Sequence, residues 1–272
     1  MARIDRLDLR IVTLDIERLP GRAVQRHRGL EISGRFWDLN AFKSVTGRRI
    51  HPDEVTQWPS TICVAWRVYG REHVHTAAAW GQGGYEGMLR RVWGVLDAAD
   101  VVVGHNISAF DIKKLNSEFA LAGLTPPSPY ATVDTLTVAR KAFGFESNSL
   151  DSLCQRLGVP AKRGAYSIQT AEAAMAGNRT AQRELLDYNR GDIVATEALY
   201  DALRPWIRNH PHPHQDAEPS CHACGSLHLV KNGWHISGVF TYQRYVCRGC
   251  GAHVRGRHRL TTGGRRTITA AA

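Results

Sequence analysis

The chain has 272 residues, enough for one large core and an appendage, and it carries 35 Lys and Arg against 25 Asp and Glu, a formal net charge of +10. No apolar run approaches the roughly 20 residues that a membrane-spanning helix needs, which excludes that class, and the charged start "MARIDRLDLRIVTLD" is unlike a secretory leader and points to the cytoplasm. The basic balance favours a polyanionic partner, nucleic acid first.

In chain order, "LDLRIVTLDIE" (7–17) reads as a strand. Residues 18–60 hold Arg18, Arg22, Arg26, Arg28 and Arg35 with Trp37 and Trp58, and only one short strand around "FWDL" is predicted there. That segment reads either as a solvated loop or as a lip guiding a single strand through phosphate contacts and stacking. Residues 60–70 and 72–80 form a hairpin pattern about Gly70. Helical spacing runs over 85–99, a short buried strand over 100–106, a helix over 108–124, a strand over 130–135, and a further helix follows. Three more helices are predicted near 148–158, 168–176 and 179–204. This alternation predicts a mixed α/β sheet covered by helices. We divide the chain into a domain at 1–207, a stiff Pro- and His-rich linker at 208–219, a cysteine module at 220–258 and a basic tail at 259–272, expected to be disordered.

Acids stand out against the basic background. Asp15 and Glu17, two apart on a strand, project to the same face, where they repel unless solvated or joined by a cation. Asp111 opens a helix just beyond a buried strand, where α/β folds place ligands. Ser108 and Asp111 also have the spacing of a helix-capping box. On the wheel of the last helix Asp192 shares the inward face with Leu185, Tyr188, Ala195 and Leu199, while Asp187, Arg190 and Asp201 fall outside. Four such carboxylates can hold two divalent hard cations, the arrangement that drives phosphodiester hydrolysis.

These motifs resemble those of the DEDDy 3′-to-5′ exonucleases, the DnaQ-like branch of the ribonuclease H-like proteins. Asp15-x-Glu17 matches their first motif. "HNISAFD" (105–111) matches the second with one extra residue between Asn106 and Phe110, and Tyr188-x-x-x-Asp192 matches the third. Related subfamilies place a His at the position of Asp187, so the Tyr form fits better. The resemblance covers about residues 7–206. It implies a ribonuclease H-like mixed five-stranded sheet flanked by helices, and a two-metal exonuclease releasing nucleoside 5′-monophosphates. It further implies that Asp15, Glu17 and Asp192 hold one Mg²⁺ or Mn²⁺, and Asp15 with Asp111 the second. Tyr188 would orient the attacking water, and Asn106 and Phe110 would line the terminal-nucleotide site. DNA is the expected substrate, with RNA the alternative. Asp134, at a strand end, is read as a helix cap.

Of six cysteines, Cys63 and Cys154 sit in apolar surroundings and read as core. Cys221, Cys224, Cys247 and Cys250 form C-x2-C-x22-C-x2-C, the spacing of a structural Zn²⁺ site in a small β-rich zinc ribbon, with Gly225 and Gly251 in the knuckle turns. Four cysteines leave no need for His222 or His228 as ligands. Trp234, Phe240, Tyr242 and Tyr245 interleave with Lys231, Arg244 and Arg248, either as the ribbon's core or as a nucleic-acid face; a protein partner is the other use for the ribbon. Two further classes fit the residues less well. A transposase- or resolvase-like enzyme ends its acid set differently from Tyr188-x-x-x-Asp192, and a non-catalytic binding protein would not be expected to keep all four acids.

Overall fold

The computed structural model describes residues 9–27, 30–36, 50–161, 164–208, 210–211, 219–237 and 240–260. The core is a five-stranded sheet of order β6-β5-β1-β7-β8. Its strands are β1 (Ile11–Leu19), β5 (Ser60–Val68), β6 (His75–Ala78), β7 (Val101–Gly104) and β8 (Ala131–Asp134). β1 pairs antiparallel with β5 and parallel with β7, so the sheet is mixed, as expected from the alternating pattern. β5 and β6 form the hairpin about Gly70, whose φ of 79° a side-chain-free residue adopts readily.

Among the described residues six helices cover the sheet: α1 (Gly84–Asp97), α2 (Asp111–Leu121), α3 (Thr135–Ala142), α4 (Leu150–Leu157), α5 (Ile168–Met175) and α6 (Arg179–Leu203). The two-residue period of β1 divides the core. Val12, Leu14 and Ile16 pack with Met88, Leu89 and Val92 of α1 and Leu115 and Phe119 of α2. Ile11 faces the other way, with Val101, Val103, Val133 and Tyr200 of α6. Each fully buried large side chain contributes about 1.5–3 kcal/mol. Cys63 and Cys154 are buried, as expected.

Helix ends follow local chemistry. Asn178 caps α6 by accepting from Thr180 N and Ala181 N, and Ser149 and Ser167 cap α4 and α5 in the same way. α6 stops where Pro205 follows, in a 3-10 turn at Arg204–Trp206. Its buried residues, among them Ala181, Leu185, Asn189, Asp192, Ala195 and Leu199, recur every three or four positions, so Asp192 does face inward.

Within residues 18–60, the strand expected around 36–39 lies, beyond Phe36, outside the described residues. The described part forms a separate three-stranded sheet, order β3-β2-β4, from β2 (Arg22–His27), β3 (Leu30–Arg35) and β4 (Val55–Gln57). Arg28 and Trp37 lie outside the described residues. Arg18, Arg22 and Arg35 are each held in an ion pair, Arg22 at an exposed position. Glu172 of α5 receives Arg22 at 2.7 Å and both Nε and Nη2 of Arg35, at 3.0 and 2.7 Å. Arg18 pairs with Glu118 of α2 at 2.9 Å. β2, Arg-Ala-Val-Gln-Arg-His, has no apolar alternation to mark it as a strand, and in β3 the alternation is only Leu30-Glu31-Ile32-Ser33 before Gly34 ends it.

The cysteine module is a second three-stranded antiparallel sheet, β11-β10-β9, of β9 (Leu229–Ser237), β10 (Phe240–Cys247) and β11 (His253–Arg259). Gly225 and Gly251 have φ of 73° and 78°, as knuckle turns require. β11 continues through Arg259, the first residue assigned by sequence to the tail; residues 261–272 and most of the 208–219 segment lie outside the described residues. Within that segment His210 is buried, its Nε2 against Tyr200 Oη. The module rests on the end of α6: Arg204 Nε donates to Ala223 O, between two of the cysteines, and His222 Nε2 to Ile207 O, both at 2.9 Å.

Candidate active site

Asp15 and Glu17 share the face of β1 that looks at α6, and α6 brings Asp192 to them. One carboxylate oxygen from each lies within 4.8 Å of the others. Asp192 is buried and the other two are half-buried. Three like charges so close disfavour one another, and a cation relieves the repulsion. An all-oxygen, all-anionic donor set fits a hard divalent ion such as Mg²⁺ or Mn²⁺, so these residues suit the implied group.

Just after Glu17 the β1–β5 register slips, with Glu17 opposite Cys63 and Arg18 opposite Thr61. Such a bulge re-aims side chains at a strand end. Arg18 then turns to the α2 side, where Glu118 Oε1 also accepts from Thr61 N at 2.9 Å.

Asp111, seven residues before Glu118 on the same face of α2, is not within that group of three. Its Oδ1 accepts from the amide of Ile16, between Asp15 and Glu17, at 3.2 Å. Burial pushes the Asp111 carboxyl up to about 7; its own amide and that of Ile16 oppose the rise, and Asp134 adds to it. The capping box expected from Ser108 and Asp111 does not form. The helix begins at Asp111, so Phe110 and not Ser108 is the N-cap residue, and its ring has no acceptor; the Asp111 carboxylate is used instead by the strand amide.

The loop 105–110 is braced from below. Asp134 caps α3 as expected, accepting from Leu136 N and Thr137 N at 3.0 and 3.2 Å. It also accepts from Asn106 N and Ser108 N, at 3.1 and 3.2 Å. Asn106 sits in the left-handed region, φ 65°, where Asn is one of the few tolerated side chains. The extra residue of the motif is accommodated inward: Ile107 is buried against Gly104, where an added Cβ would lie 2.6 Å from Ile107 Cδ1. His105 bridges Thr135 Oγ1 and Asn148 O. Phe110 remains 41% exposed, with Lys114 Nζ 5.9 Å from its ring centre.

Tyr188 lies one turn before Asp192, half-buried, on the wall of a cavity of about 830 Å³ shared with Tyr166, Thr170, Leu185, Gly191 and Val194. One functional residue escaped the sequence reading. Asn189, completely buried, donates from Nδ2 to Asp15 Oδ2 at 2.7 Å and lies 3.4 Å from Asp15 O. The signal was present, since Asn189 stands four residues after Leu185 and three before Asp192 on the same helix.

The four module cysteines also converge, with their sulfurs within 4.8 Å of one another. Cys221–Cys250 and Cys224–Cys247 are 3.7 and 3.6 Å apart. Tetrahedral Zn²⁺ with bonds of about 2.3 Å sets its sulfurs about 3.8 Å apart, so the set fits that metal. Burial pushes the Cys247 thiol up, but the amides of Cys250 and Gly249 and the neighbouring thiols outweigh it and bring it down to about 7.

Among the described residues no helix is long and apolar enough to cross a membrane. Of known proteins, NEN3 of Arabidopsis thaliana is 34% identical over 76 residues, 28% of this chain and 13% of that protein. The family B DNA polymerase of the hyperthermophilic archaeon Pyrobaculum calidifontis aligns with a TM-score of 0.48 at 17% identity, over 73% of this chain and 25% of the polymerase. This chain thus matches only a small part of either. The RNase_H_2 family model matches residues 66–204, which take in Asp111, Tyr188 and Asp192 and begin after Asp15 and Glu17. The match spans half the chain, and with the mixed five-stranded sheet it shows that the chain belongs to the RNase H superfamily.

Proposed function

We propose that the chain is a metal-dependent 3′-to-5′ exonuclease that removes nucleoside 5′-monophosphates from nucleic acid, DNA before RNA. The observation that carries the reading is the convergence of Asp15, Glu17 and Asp192, from positions 177 residues apart (192 − 15), into one oxygen cluster. Asp15, Glu17 and Asp192 would hold one divalent cation, and Asp15 with Asp111 a second. When bound, such ions stabilise both the attacking and the leaving oxygen of the phosphodiester.

The remaining chemistry belongs to the chain's own groups. Asn189 fixes the rotation of the Asp15 carboxylate through its 2.7 Å bond, so the oxygens that bind are held ready. The Ile16 amide does the same for Asp111. Tyr188, one turn from Asp192 and open to the cavity, would hold the attacking water by a hydrogen bond at its hydroxyl and so orient it toward the phosphorus. The cavity beside it has the size of a small-molecule site. Phe110 offers an open ring to the last base, and Asn106, held in its strained turn by Asp134, offers its amide to the same nucleotide. The motif resemblance supports the 3′ polarity.

The test is a 5′-labelled single strand of DNA, and the matching RNA, incubated with Mg²⁺, Mn²⁺ or EDTA beside Asp15→Ala. The expected result is a metal-dependent ladder shortening from the 3′ end, absent in the variant. The faster substrate names the sugar. Binding without cleavage under every metal would remove the enzyme assignment.

A further inference from the structure

Residues 219–260 contain Lys231, Arg244, Arg248, Arg255, Arg257 and Arg259 and no Asp or Glu at all. Four thiolates around Zn²⁺ leave a net charge of −2 at the knuckles, so the module as a whole stays positive. Register shows where that charge meets aromatic surface. Phe240 pairs with Ser237 and Tyr242 with His235, and directly opposed residues share a face, so Phe240, Tyr242 and His235 lie together. β11 runs along the other side of β10, with Arg259 opposite Tyr242 and Arg255 opposite Arg244. The guanidinium of Arg255 stands 4.2 Å from the Tyr242 ring centre and that of Arg259 5.4 Å from Phe240. Both arginines are exposed, and Phe240 is 42% exposed.

We infer that this face of the ribbon is a platform for single-stranded nucleic acid, an inference that rests on nucleic acid being the substrate of the Asp15–Glu17–Asp192 site. Each ring with its guanidinium offers an aromatic and cationic surface against which a base can stack, and the guanidinium N–H groups can reach the adjoining phosphate. Successive same-face residues of a strand are about 7 Å apart. Bases stacked in a duplex repeat every ~3.4 Å along each strand, so the spacing suits bases splayed from a single strand. An acid-free surface favours a polyanion over an ordinary protein partner. The bonds from Arg204 to Ala223 O and from His222 to Ile207 O fix the platform to the end of α6, so a strand lying on it is presented to the same body that holds the acids.

The experiment uses the full chain carrying Asp192→Ala, so that bound strands survive, with a labelled oligothymidylate and a labelled blunt duplex of equal length. Phe240→Ala with Tyr242→Ala should weaken single-strand binding about 10-fold or more. Phe240→Tyr with Tyr242→Phe should retain it. Arg255→Gln with Arg259→Gln should lower the slope of log affinity against log salt by about 1.4, two phosphates at ~0.7 each. Duplex binding should change far less. Bound zinc, one per chain by native mass spectrometry, confirms a folded ribbon; should the alanine pair lose zinc, the arginine pair decides the matter. Unchanged single-strand affinity and unchanged salt slope in zinc-loaded variants would overturn the proposal and leave this face to a protein partner. Hydrolysis of thymidine 5′-monophosphate p-nitrophenyl ester by the unaltered chain tests the metal-site reading separately, so the two can fail independently.

Discussion

Asn189 and Asp134 act at the residue scale by accepting or donating where a reacting group must be held. Replacing Asn189 by Ala removes the donor that orients Asp15, and Mn²⁺ affinity should fall about 10- to 100-fold with the fold intact, as titration calorimetry would read. Affinity equal to that of the parent would show that Asp15 is oriented by other groups. Asp134→Ala orphans four backbone amides at once, two at the start of α3 and two in the 105–110 loop. The expected cost is about 2–3 kcal/mol, read as a lower urea midpoint with unchanged slope. At this scale the acids were legible because charge on an inward helix face or doubled on a strand is conspicuous. The bracing of Asn106 by Asp134 was not, since it joins two segments through backbone amides that carry no side-chain signal.

The helix α2 and the small β2–β3–β4 sheet show the same limit at the scale of elements. Periodicity located each described helix of the core, because each buries one stripe. It missed the small sheet, whose attachment is electrostatic. Arg22 and Arg35, bonded to Glu172, hold its carboxyl at about 2, well below the usual 4.5. A depressed carboxyl contributes stability that is complete above the unfolded value and lost as pH falls through the folded one. Stability should therefore drop between about pH 4.5 and pH 2 as this carboxylate is neutralised, and Glu172→Gln should flatten the profile over that interval. A variant curve parallel to the parent's would assign the acid response elsewhere. Gly104→Ala drives a Cβ into Ile107, and the motif's extra residue then has no room; about 1–3 kcal/mol of destabilisation is expected in urea titration.

For the whole molecule, the contact between nuclease fold and ribbon passes through Arg204. Its guanidinium reaches Ala223 O and Tyr69 Oη, and lies 5.1 and 5.3 Å from the rings of Tyr69 and Tyr200. Tyr69 Oη donates in turn to Asp201 at 2.6 Å. With Zn²⁺ held by the four cysteines, its removal by a chelator should unfold the cysteine module alone. Amide exchange should rise across 221–259 and at Ile207, while β1 and β7 stay protected. Loss of protection in β1 as well would mean that the two parts form one cooperative unit. The cysteine spacing pointed to a small β-rich module in the sequence; nothing in the sequence marked its seat on α6, because one arginine, one carbonyl and two rings have no linear pattern.

The acid cluster also sets a clock. Its first members stand on β1 and its last on α6, so the ribosome makes Glu17 175 residues before Asp192 (192 − 17). At about 5–20 residues per second, the interval is roughly 9 to 35 seconds. Throughout it, the nascent chain lacks Asp192, the member that completes the cluster on β1, and the proposed nuclease is chemically silent beside the messenger that encodes it.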